Sequence, residues 1–170
     1  MNAESPDPQP PREPRPGALG ITTPSQIMVS VLAGAVVGYL LLVAFDIMNV
    51  IPPSVPWSVP IVLVAISIPA LWYARTLIAR LERSMVPAEE GVRALILGKS
   101  MLMTGCVLAG GHLVYVLRWI AQTDAPGPRG RVILGAVTIV AAIGFALVGA
   151  YLEKACVVDG EDSDGSGQPA

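Results

Sequence analysis

Ile27 to Phe45 is a run of 19 residues without one charged side chain. Inside a bilayer no water is at hand for backbone N–H and C=O groups, so a spanning segment must satisfy them internally, as a helix or a closed barrel does. About 20 residues of helix cross the roughly 30 Å apolar layer. Three further apolar runs, at about 60–80, 94–120 and 132–156, repeat the pattern. Together with the first, at about 26–48, they predict an all-α integral membrane bundle of four transmembrane helices. Asp46-Ile-Met-Asn follows the first run where a cleaved signal would need a small-residue site, so that helix is read as retained.

Composition agrees. Hydrophobic residues make up 53% of the 170 and charged ones 14%, against about 25% charged in a soluble domain. The net charge of −2 and the lack of a basic face argue against a nucleic-acid partner. Cys106 and Cys156 lie in or beside apolar runs and are read as unpaired thiols. Residues 1–24 are proline-rich without apolar periodicity, which predicts a disordered tail. Its Pro11-Arg-Glu-Pro14 fits a polyproline ligand only as any proline-rich tail does. Residues 159–170 form an acidic Gly/Ser-rich tail, also read as disordered, and 25–158 form the transmembrane domain.

Pro52, Pro53, Pro56 and Pro60 exclude a helix between the first two spans, with Trp57 at an interfacial position. Pro69 falls inside the second span and predicts a kink, its freed carbonyl met by a neighbouring helix or Ser67. Gly34-x-x-x-Gly38 has the small-residue spacing that lets helix backbones approach closely, within the bundle or between copies. On the fourth helix Gly135, Thr138, Ala142, Ala146, Gly149 and Glu153 fall within about 80° of one another, a second such stripe.

The third span carries most of the polar residues. With Lys99 at 0° on a helical wheel, Cys106 and Gly110 lie within about 20° of it, while Ser100, Thr104, Tyr115 and Arg118 form a second stripe and His112 lies near 220°. Lys99 and His112 are 13 residues apart, roughly 20 Å along the axis, and do not form one site on this helix. Antiparallel pairing of the third and fourth helices would set Lys99 beside Glu153, Cys106 near Ala146 and Gly110 near Ala142. A Lys99–Glu153 ion pair is therefore the candidate structural interaction. His112 is a weak functional candidate, because an ionisable group inside the membrane is expensive. Its bland reading is a neutral imidazole hydrogen-bonded to a neighbouring helix. Asp46 and Arg118 stand at helix ends where they can pair.

Site motifs fail on inspection. Gly98-Lys99-Ser100 resembles the end of a phosphate loop, but Arg93 stands where its first glycine belongs and no strand precedes it. A single histidine without companion carboxylates makes no metal site. No catalytic residues, no cofactor and no enzyme activity are expected.

Arg93-Ala94-Leu95, Gly98-Lys99-Ser100 and Tyr151-Leu-Glu153-Lys-Ala-Cys156 resemble an actinobacterial family of four-helix membrane proteins, domain of unknown function 3180. The resemblance covers about 25–158, with Val157 where that family often has a basic residue. It implies a plasma-membrane protein without an established activity and supplies no catalytic residues. The bilayer is the first expected partner. The function expected is structural: interaction with other membrane proteins, or self-association through the small-residue stripes. The alternative is a component of small-solute or proton transport that uses Lys99 and His112.

Orientation follows from the cations. Arg12, Arg15, Arg75, Arg80, Arg83, Arg93, Lys99 and Lys154 fall on the side of both termini, against Arg118, Arg129 and Arg131 opposite. Eight against three predicts cytoplasmic termini in the cell membrane. A reporter fused at the C-terminus should then be active in the cytoplasm; activity only outside the cell would reverse the assignment.

Overall fold

A computed structural model of the chain describes residues 21–81, 88–124 and 126–161. The polyproline match, most of the proline-rich tail, Arg83 and the acidic tail beyond residue 161 lie outside the described residues. The described chain forms four helices: α1 Pro24–Ile47, α2 Ser58–Leu81, α3 Ala88–Trp119 and α4 Pro126–Glu161, with a 3₁₀ turn at Ile120–Gln122. All four are long and apolar enough to cross a membrane, and the protein is a multi-pass membrane protein of all-α class. Twenty-four residues of α1 give about 36 Å of helix, more than the roughly 30 Å hydrocarbon layer requires.

The helix ends show how the sequence sets these limits. Thr23 caps α1 with a reciprocal capping box to Gln26, and Pro24 occupies the first turn, where a missing N–H costs nothing. Residues 21–23, read from sequence as tail, are thereby held at the bundle. At the other end Asn49 adopts φ 53°, and the N–H groups of Asn49 and Val50 donate to the carbonyls of Asp46 and Phe45, each at 3.1 Å. That is a Schellman closure, with asparagine in the left-handed conformation it tolerates better than most residues. α4 begins at Pro126 rather than near 132. Pro126 and Pro128 both fall in the first turn of the helix, where no backbone donor is needed. α2 runs through Pro69, and the Ser67 hydroxyl donates to the Leu63 carbonyl at 2.7 Å. The carbonyl that Pro69 leaves without its usual N–H is that of Ala65, four residues back, so Ser67 does not serve it.

The helices stand in the order α1, α3, α4, α2, each packed on the next. α3 and α4 are antiparallel: a Cβ on Gly98 would lie 2.8 Å from the Gly149 carbonyl, and one on Gly105 2.7 Å from that of Ala142. α1 and α3 are parallel. Ser30 meets Met103, a Cβ on Gly34 would run into the Val107 backbone, and one on Gly38 would lie 2.9 Å from Gly111 Cα. The Gly34/Gly38 spacing is therefore used inside the chain. Cys106 packs on Ala146 as expected. Gly110 does not reach Ala142; it faces Val31 and Ala35 of α1, because α3 must serve two helices and turns Gly105 and Gly110 to different partners.

Because α1 and α2 flank the central pair, the segment between them crosses the end of the bundle over α3. Residues 48–57 can do so since an extended proline-rich chain advances about 3.1 Å per residue, and the Tyr115 hydroxyl on α3 holds it by donating to the Pro53 carbonyl at 3.2 Å. α2 packs on α4 through Leu63, Ala70, Ala142 and Phe145, then through Ala74, Leu77 and Leu152.

Helix contact through bare backbone makes the glycines irreplaceable where they touch. Gly34→Ala should lower stability by about 1–3 kcal/mol, the usual range for overpacking. Gly144, with nothing within 4 Å of its would-be Cβ, should accept alanine without loss. Thermal unfolding of both variants in detergent checks the contrast.

Candidate functional site

The polar side chains gather at the two ends of the bundle. At the end bearing the termini, Glu153 on α4 is 1% exposed. Thr22 meets its carboxylate: the hydroxyl lies 2.8 Å from each oxygen, and the backbone N–H donates to Oε1. Burying a carboxylate is expensive unless donors surround it, and the segment leading into α1 supplies two. Arg80–Glu90, Arg93–Glu89 and Arg118–Asp46 form ion pairs, and the partner seen at the Glu153 carboxylate is Thr22. The wheel set the two helices in the right register, since Gly98 faces Glu153 N across the interface. Thr22 had been assigned to a tail, although Thr23-Pro-Ser-Gln26 carries the capping signature that fixes its position.

Beside this latch α2 is clamped to α3. Arg80 holds Glu90 by two parallel bonds of 2.8 and 3.1 Å, the bidentate geometry that suits guanidinium and carboxylate. Glu89 and Glu90 occupy the first turn of α3, where the helix dipole favours negative charge.

His112 lies toward the opposite end and lines a cavity of about 370 Å³. Its Nδ1 is 2.9 Å from the Leu108 carbonyl. A carbonyl only accepts, so Nδ1 donates a proton to this bond. The partner is on its own helix rather than a neighbouring one. The cavity is walled by Val37, Leu41 and Phe45 of α1, floored by Leu108 and Gly111 of α3, and roofed by Pro52–Pro56.

A second cleft of about 180 Å³ shares Phe45 and Pro52 with the first and adds Asp46, Asn49, Arg118 and Trp119. Here Arg118 and Asp46 pair as expected, at 3.7 Å. Arg131 stacks on the Trp119 ring, 4.6 Å from its centre. The Trp119 indole N–H and Arg131 Nη1 are buried without an acceptor among the described residues. Sequence reading missed this stack because its two residues stand on either side of a turn-rich loop.

Lys99 and His112 lie on opposite sides of the midpoint of α3, about 20 Å apart along its axis. Among the described residues no three His, Cys, Asp or Glu side chains come together to hold a metal, and Cys106 and Cys156 are free thiols.

The Thr22–Glu153 contact is open to test. Thr22→Val removes a hydroxyl from a buried carboxylate and should cost about 1–3 kcal/mol. In a double-mutant cycle with Glu153→Gln, the two losses should fall well short of additive. Additive losses would mean that the residues act independently.

No curated protein and no solved structure matches the chain. The model of one family, described as "Protein of unknown function (DUF3180)", matches residues 27–159, from the first helix nearly to the end of the last. The chain therefore belongs to that family.

Proposed function

We propose that the protein works without chemistry of its own, as a bundle in the cell membrane with cytoplasmic termini that binds another membrane protein. The surface we assign is the outer face of α1. Val29, Leu32, Val36 and Tyr39 follow one another at spacings of three and four residues and are all more than half exposed, on the side turned away from α3.

The observation that carries this reading is Tyr39. Its side chain is 60% exposed, and it stands about 5 Å from the midpoint of α1. It makes no hydrogen bond among the described residues. A phenol at that depth does not reach either interface, and an unsatisfied hydroxyl in hydrocarbon costs about 1–3 kcal/mol on mutational scales. A polar group from a second membrane helix would satisfy it, and bonds of that kind contribute about 1–2 kcal/mol in model helices. The small-residue stripes support the same surface by elimination, since α1 uses Gly34 and Gly38 on α3 and α4 uses its stripe on α3.

A photo-crosslinker at Val36 should capture a second protein in native membranes, and one at Val140 on the exposed side of α4 should capture far less. Tyr39→Phe should weaken the Val36 adduct. If both positions yield lipid adducts alone, the reading is wrong.

A further inference from the structure

The two cavities at the end opposite the termini are adjoining, and they differ in character. The larger is apolar and extends along α1 from Gly34 to Phe45, about 16 Å at 1.5 Å per residue. That is half of the roughly 30 Å hydrocarbon layer, the depth of one leaflet. The smaller begins where the larger ends, at Phe45 and Pro52, and adds the polar side chains of Asp46, Asn49 and Arg118.

Donors outnumber acceptors around this polar cleft. Arg118 pairs with Asp46, the one carboxylate in the cleft lining, and Arg131 reaches its edge by stacking on Trp119, which lines it. The Asp46–Arg118 pair is loose at 3.7 Å, with both side chains about half exposed. Two donors, the indole N–H and one guanidinium nitrogen, are buried and lack an acceptor among the described residues. Arg118, Arg131 and Asp46 sum to a charge of +1. One phosphodiester would neutralise that charge, and its two free oxygens would serve the unmet donors.

We propose that this end of the bundle binds a glycerophospholipid, with one acyl chain in the groove between α1, α3 and the proline crossover and its phosphate at Arg118, Arg131 and Trp119. The site lies on a different side of α1 from the Tyr39 face. Leu41 and Phe45 wall the groove, whereas Val29, Leu32 and Val36 turn away from it. The proline crossover gives the site its roof, with Pro52–Pro56 all in its lining.

Native mass spectrometry of the whole protein, released in mild detergent and supplied with phosphatidylglycerol, tests the proposal. One bound lipid is expected at low lipid excess. Arg118→Gln combined with Arg131→Gln should weaken retention by about tenfold or more, the loss of one charge-assisted contact. Leu41→Trp should do the same by filling the groove; Leu41 is 56% exposed, so the larger ring should leave helix content by circular dichroism unchanged. Diacylglycerol, which has the chains without the phosphate, should bind poorly, and inorganic phosphate should not raise the unfolding temperature. Equal retention by wild type and variants, or diacylglycerol binding as well as phosphatidylglycerol, would overturn the proposal. Stabilisation by phosphate alone would reduce the site to an anion site and equally refute it.

Discussion

Contact between α3 and α4 through positions that lack side chains is the constraint on which the rest of this structure depends. Lipid tails are as apolar as leucine, so burial supplies no net drive for one membrane helix to join another, and close van der Waals approach must supply it instead. Gly98 and Gly105 on α3 and Gly149 on α4 allow that approach: a Cβ at any of them would lie within 3.0 Å of the opposing helix. Once α3 is committed to α4 on one face, its Gly110 and Gly111 remain for α1 on another. α2 is then left to α4. The crossover over the bundle end, and the groove beneath it, follow from that order.

The two ends of the bundle close by different means. Near the termini two carboxylates find donors within the chain: Thr22 serves Glu153, and Arg80 serves Glu90. At the far end Arg118, Arg131 and Trp119 keep donors to spare. A surplus of donors beside a leaflet-deep apolar groove is an arrangement that an amphiphile with an acidic head can complete.

The four spans were legible because a charge-free run of helix length has few other uses, and the α3–α4 register followed from small residues recurring near a helical period. Contacts that depend on neighbours in space were harder to read. Gly110 resembled Cys106 on the wheel, yet it faces α1, since a wheel for a single helix does not say which of two partners takes which part of a broad face. Glu153 was singled out correctly as a polar end to an apolar stripe, but its partner lies 131 positions away, in a segment whose prolines suggested tail. Pro126 and Pro128 misled in the same way: proline stops a helix from within and is tolerated at its start, and composition alone does not separate the two.

The central claim is that the close α1–α3 contact forms within one chain and leaves the outer face of α1 for other proteins. Val31 packs beside Cys106 in this contact. With Cys156→Ser in place, Val31→Cys should form a disulfide to Cys106 on mild oxidation in native membranes, giving a cross-linked monomer on a non-reducing gel. Disulfide-linked dimers from the same pair, with little cross-linked monomer, would place α1 against a second copy and contradict the account.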